Sequence, residues 1–223
     1  MTTPYFRQNS PKDNIFTEIL KKGIDSGMLP ARTQEARDWY RNQAKRVIGV
    51  DGSKLMSSDP TRFRQMVVPG RMYMYFYDPK FKKTLPYYDT FPMVIIIDIG
   101  SNYFLGLNLH YLPLNYRAKL MDALYNIRNN NRWDETTKYQ ITYKLLKSVS
   151  ELRYYKPCIK KYLKIHVRSR FVSISAEEFE IAAFLPLQKF EKQPTTRVWS
   201  DSVNTIQNTK PTGTKIRKPR KPS

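Results

Sequence analysis

The sequence predicts an α+β fold: a small antiparallel, barrel-like sheet decorated by several helices, with an extended N-terminal arm and a basic C-terminal tail. Three observations lead there. Residues 93–99, MVIIIDI, form the most apolar run, rich in β-branched side chains, bounded by Pro92 and Gly100 and too short to cross a bilayer. Such a run reads as a buried strand. Gly100-Ser101-Asn102 has turn chemistry, and residues 103–109 after it and 72–77 before it offer two partner strands. Elsewhere apolar residues recur at helical spacing, as in Tyr116, Leu120, Ala123, Leu124 and Ile127 behind Pro113, a residue suited to a first helical turn.

The 223 residues fit one domain with extensions, divided as an arm and short helix (1–30), an α+β core (31–192) and a basic tail (193–223). Sixteen Tyr and eleven Phe supply ample core material. The net charge is +20. Self-repulsion of that size calls for a polyanionic or acidic partner. Cys158 is the single cysteine, so no internal disulfide can form, which suits a reducing compartment. The opening MTTPYFRQNSPKDN carries no apolar leader, and no stretch has the length of a membrane span. The chain is therefore expected in a cytoplasm, or in a virion assembled there, without a membrane partner.

Along the chain, residues 1–11 read as an extended polar arm. Ile15, Phe16, Ile19 and Leu20 share a helical face, and Gly23 or Gly27 can end that helix. Thr33 is a good N-cap for a helix over 34–47. Ala36, Trp39, Tyr40, Ala44 and Val47 form its apolar stripe, and Arg37, Arg41, Lys45 and Arg46 its polar side, facing solvent or phosphate. Residues 49–58 read as a loop, and Asp59-Pro60 as the start of a helical turn reaching Met66.

The loop over 78–92 sets Lys80, Lys82 and Lys83 beside Phe81, Tyr87 and Tyr88. Charge for phosphate and rings for bases is what nucleic-acid surfaces use, so Lys80, Lys82, Lys83, Tyr87 and Tyr88 are candidate contacts. The competing reading has the rings close the sheet and the lysines keep the loop soluble. A helix is expected over 135–152, after the Asn129-Asn130-Asn131 break, and another over 158–164, opened by Pro157.

Charge is most lopsided over 138–170, where Glu151 is the only acid among ten Lys and Arg. On a helix, Lys156, Lys160 and Lys164 would stack on one face and repel, so an external anion is expected to balance them. Lys156, Lys160, Lys161, Lys164, Arg168 and Arg170 are thus candidate DNA contacts. Residues 166–175 read as a strand with imperfect alternation. Ser175 and Glu178 make a capping box, and the apolar 179–185 returns toward the sheet. Beyond 193 the composition turns polar. The end, TKPTGTKIRKPRKPS, reads as an extended tail whose Lys215, Arg217, Lys218, Arg220 and Lys221 complete the candidate DNA-binding set.

Catalytic signatures are lacking. His110 and His166 stand apart, one cysteine cannot build a zinc site, and no phosphate loop, dinucleotide fingerprint or nucleophile elbow occurs. Asp78, Asp89, Asp98 and His110 are the best candidates for metal-dependent chemistry. Yet the strand after Asp98 brings no carboxylate or lysine, and Asp89 and Asp98 are more simply backbone-accepting groups at turns and strand ends. No enzyme, metal or cofactor is expected.

The phrases YDPKFKKTLPYYDTFP and YFLGLNLHYLPLNYRAKLMDAL, with EARDWYRNQAKRV, KPCIKKYLKIHVRSRF and FEIAAFLPLQKF, resemble the DNA end protector proteins of T4-like tailed bacteriophages (myoviruses), over about residues 35–190. The resemblance implies a minor virion protein at the genome end or head-to-tail region, shielding the DNA terminus from host exonuclease by occupancy. Expected partners are a double-stranded DNA end or acidic phage structural proteins, and other virion subunits, with a symmetric oligomer as one arrangement in the particle. No recognition-helix motif is found, so sequence-specific reading is not expected. Two rivals stand: a subunit of neck, tail or baseplate with no DNA role, and a metal-dependent DNA-processing enzyme.

Overall fold

The computed structural model describes residues 14–29, 33–128 and 155–208. The arm expected over 1–11, the helix expected over 135–152 and the last basic residues, 209–223, lie outside them.

Helix α1 (Ile15–Asp25) starts where the Asn14 side chain accepts from Thr17 N at 3.0 Å. It ends in a Schellman motif. Gly27, at φ 74°, takes the left-handed position, and Met28 N and Gly27 N reach back to Gly23 O and Ile24 O. Gly27 is the stop signal, whereas Gly23 stays inside the helix against the Tyr40 ring. Helix α2 (Gln34–Lys45) is capped by Thr33, as its sequence predicts. Its polar side is not the expected one: Arg37 and Arg41 are buried. Arg41 forks onto Glu180 at 2.6 and 3.0 Å and reaches Asp122 at 2.7 Å. Carboxylates distant in sequence thus let this face turn inward, because a buried cation persists only when paired.

Residues 52–58, expected as loop, form helix α3 (Gly52–Ser58), where Asp51 accepts from Ser53 N. The turn after Asp59 is a single 3-10 turn, Pro60–Arg62, leading into the short strand β1 (Phe63–Arg64). Strands β2 (Met72–Met74), β3 (Tyr88–Asp89), β4 (Met93–Ile99) and β5 (Tyr103–Asn108) follow, then helix α4 (Leu114–Arg128) behind Pro113. Strand β6 (Ile159–Leu163) stands where a helix was expected, because its backbone bonds go to β5 in register, Phe104 opposite Tyr162. Strand β7 is Phe171–Ile174, shorter than the predicted 166–175.

The Ser175–Glu178 capping box forms, with Ser175 N bonded to Glu178 Oε2 at 2.9 Å. Residues 179–185 do not rejoin the sheet. They make the buried helix α5 (Phe179–Ala182) and a turn. Strand β8 (Phe190–Glu191) pairs with β3. Helix α6 (Thr195–Asn208) replaces the first part of the expected extended tail, and buries Val198, Ser202 and Ile206 at four-residue spacing.

The main sheet is antiparallel, in the order β1-β7-β2-β4-β5-β6. It is not a closed barrel: β1 and β6 end the order and do not pair. It is nevertheless steeply curled. Three strand steps separate β7 from β5, about 14 Å in a flat sheet. Yet the Phe171 and Phe104 ring centroids are 5.9 Å apart. The concave face is lined by Tyr73, Tyr75, Tyr77, Phe104, Tyr162 and Phe171, mostly edge to face. On the convex face Met72, Met74, Met93, Ile95 and Leu107 meet Phe16, Tyr40, Leu120, Ile181 and Val198 from the helices.

Strand β4 is thus apolar on both faces, which explains its unbroken run of apolar residues. A register shift between Ile96 and Asp98 flips the alternation, so Ile97 stays on the helical side and Ile99 joins the concave one.

Candidate nucleic-acid interface

One end of the curled sheet gathers cations. After β2 the chain runs on to Asp78-Pro79, and residues 79–85 fold into a turn. Within it Lys82 N bonds Pro79 O at 3.3 Å, and Thr84 N and Leu85 N both bond Phe81 O at 3.0 Å. Two flanks hold this turn. On one, Tyr77 bridges to Val167, Asp78 N bonds His166 O at 3.0 Å, and His166 Nδ1–H donates back to Asp78 O at 2.8 Å. On the other, Lys192, at φ 72°, spends its ammonium on Lys83 O and Leu85 O at 3.0 and 2.7 Å. The β4–β5 turn joins the group, because Lys164 Nζ donates to Gly100 O at 2.8 Å and Ser101 O at 3.0 Å.

Asp78 is the electrostatic pivot. Its carboxylate lies 2.9 Å from Lys82 and 3.6 Å from Arg168. The Lys82 hydrogen bond holds the Asp78 carboxyl below its ordinary range and lifts the lysine above its own. Lys80, Lys83 and Lys164 are exposed and form no ion pair among the described residues. Lys82 and Arg168 therefore flank one carboxylate, with exposed Lys80 and Lys83 on the same turn and Lys164 two residues before His166, which leaves an excess of positive charge at this end.

The other expected contacts scatter. Lys156 is exposed on the 3-10 turn Lys156–Cys158, against α6. On a strand Lys160 and Lys161 point to opposite faces. Lys160 is half-buried with its ammonium 3.9 Å from the Tyr111 ring centroid, and burial pulls its pKa down to about 8. Lys161 is exposed over Tyr103, 4.0 Å from the ring centroid. The repelling stack of Lys156, Lys160 and Lys164 thus does not exist, since β6 is a strand. Arg170 is exposed beside Phe63, near Arg64 on β1. Tyr87 packs on Tyr111 and Phe190, so its ring serves packing, and Tyr88 lies partly exposed in the β3–β8 pair. Lys215, Arg217, Lys218, Arg220 and Lys221 lie outside the described residues.

Sequence reasoning missed the pivot and the clamp. Asp78-Pro79 did signal a turn. Nothing local signals Lys192, whose partners lie 109 and 107 residues away.

The catalytic candidates divide likewise. Asp98 is exposed on β4. Asp89 and His110 come together, but inside the protein. Asp89 accepts from Phe91 N, Asn108 Nδ2 and His110 Nδ1–H at 3.0, 3.0 and 2.8 Å. Below them buried Arg117 donates to Leu112 O, Ala183 O and His110 O, and burial pulls its guanidinium down to about 9. Trp199 Nε1 also donates to His110 O, which ties α6 into this core. These bonds join β3, β5, α4 and α6, a structural task. Among the described residues no three His, Cys, Asp or Glu side chains converge as metal ligands, and no helix is long and apolar enough to cross a membrane.

The model of one protein family, described as phage T4 terminal DNA protecting protein, matches residues 12–203. That span holds every described strand and all helices up to the last residues of α6. No curated protein and no solved structure matches the chain.

Proposed function

We propose, for a chain that belongs to the phage T4 terminal DNA protecting protein family, that it covers a DNA terminus by occupancy and performs no chemistry on it. The observation that carries this is the gathering of exposed cations at one end of the sheet, Lys82 and Arg168 beside Asp78, Lys80 and Lys83 on the same turn and Lys164 two residues before His166, on a frame pinned by His166 and Lys192. A pinned backbone beneath the cations limits the ordering cost of meeting duplex phosphates to the side chains. Arg170 with Arg64, and Lys161 at the sheet edge, extend the positive surface. The tail residues Lys215, Arg217, Lys218, Arg220 and Lys221 add charge to the same partner. Lys156 and Lys160 are assigned no phosphate. A protein seated on the end blocks an exonuclease that must load there. The place of action is the virion, at the genome end or head-to-tail region, among other virion subunits.

The test is salt-titrated binding to a linear duplex and to a closed circle of the same sequence, with exonuclease digestion alongside. The expected result is preference for the linear form, affinity falling steeply with salt, and slowed digestion. Equal weak binding to both forms, with strong binding to an acidic phage subunit, would replace this reading with a docking role in neck, tail or baseplate. Metal-dependent loss of the DNA itself would replace it with a nuclease.

A further inference from the structure

We infer that Phe81 stacks on the exposed face of the terminal base pair, with the surrounding cations on the last phosphates. This rests on the reading above and deepens it.

Phe81 is 61% exposed, unlike the other rings of its loop, yet its backbone is bonded into the turn. Its carbonyl accepts from Thr84 N, Leu85 N and Thr84 Oγ1. The turn that carries it is clamped by His166 on one side and Lys192 on the other. A loose loop would fold such a ring onto the protein. This one is held out in water, with Lys80 Nζ 5.4 Å from its ring centroid. Across the Asp78–His166 contact, Ile165 is also held out, 77% exposed, beside Lys164. The surface therefore carries exposed apolar side chains with cations beside them, Lys80 at Phe81 and Lys164 at Ile165.

Cations alone cannot tell an end from a middle, because phosphates repeat along the duplex. The feature unique to an end is the uncovered π-face of its last pair. An aromatic platform contributes about 5- to 150-fold in affinity per base stacked, and tolerates any sequence. Charge complementarity selects DNA over a second copy of this chain, whose matching tip would bring the same cations together.

The experiment compares wild type, Phe81→Ala and Phe81→Trp, as full-length chains, on a relaxed closed minicircle and on the same DNA cut once to blunt ends. Phe81→Ala is expected to lower the linear-to-circle affinity ratio at least fivefold. Its affinity for the circle, its salt slope and its melting temperature should stay near wild type. Phe81→Trp should keep or raise the ratio. With 2-aminopurine in the terminal pair, wild type should change the fluorescence on binding and Phe81→Ala should not. If wild type prefers ends and Phe81→Ala keeps that preference, the stacking role is overturned while end protection stands. If wild type shows no end preference, end protection fails and takes this inference with it. Loss of self-association in DNA-free Phe81→Ala, with end preference intact, overturns the role in favour of a contact between copies.

Discussion

Asp89 and His110 meet at 2.8 Å with both side chains buried, and together they bolt the loop before β4 to the end of β5. Burial depresses the imidazole below its ordinary pKa, and the neighbouring Asp89 only partly offsets this. The folded state therefore binds this proton less readily than the unfolded chain. Stability from neutral His110 is complete above about pH 6.5, and is lost as pH falls toward the folded value, by up to about 1.4 kcal/mol per pH unit. Melting temperatures between pH 8 and 5 should fall more steeply for wild type than for His110→Gln. Parallel curves would show that this imidazole does not set the acid limit.

Arg41→Ala should destabilise the fold by about 3–5 kcal/mol, because it strands Glu180 without its buried cation. Burial already raises the Glu180 pKa, so the stranded carboxyl would take up a proton at higher pH still. Replacing both partners, as Arg41→Met with Glu180→Leu, should be milder than either single change, because no unpaired buried charge is left. Denaturant titration of Arg41→Met, Glu180→Leu and the double variant measures the coupling directly.

Gly23→Ala separates helix propensity from packing. In an open helix the change would stabilise by about 1 kcal/mol. Here a Cβ would sit 2.1 Å from the Tyr40 hydroxyl and 2.4 Å from its ring. Tyr40 is 1% exposed and its hydroxyl donates to Met28 O at 2.7 Å, so the ring cannot simply swing away. Overpacking of this kind costs about 1–3 kcal/mol, so net destabilisation is expected. Thermal melts of the two proteins decide it, and a higher melting temperature would mean that α1 shifts freely against α2.

Local signals carried much of the fold. The limits of β4, the Thr33 cap and the Ser175–Glu178 box each rest on residues adjacent in sequence, and each forms. The errors arose where distant partners decide. Residues 159–163 have no local strand signature, and β5 makes them a strand by offering its edge. Arg37 and Arg41 read as surface because Asp122 and Glu180 are far along the chain. Helix α6 was missed: Val198, Ser202 and Ile206 recur every four residues, but the surrounding Thr, Asn and Ser masked them. For the interface, composition identified the charge. Only the fold separates lysines left exposed at the sheet end, such as Lys82 and Lys164, from Lys160, which turns onto a ring.

That separation can be measured. Each Lys or Arg that meets a duplex phosphate contributes about 0.9 to the slope of log affinity against log salt. Arg168 is half-exposed beside Asp78 and Lys164 is exposed at the β4–β5 turn, so both charges face outward. The Lys160 ammonium lies on the Tyr111 ring, half-buried and turned away from the cations of the sheet end. Lys164→Gln with Arg168→Gln should therefore flatten the slope by about 2, whereas Lys160→Gln should leave it unchanged. Both variants keep their strand pairing, because the affected bonds come from side chains and not from the β5–β6 ladder. An equal loss of slope in Lys160→Gln would place DNA along the Tyr111 side of β6 and remove the sheet end from the contact.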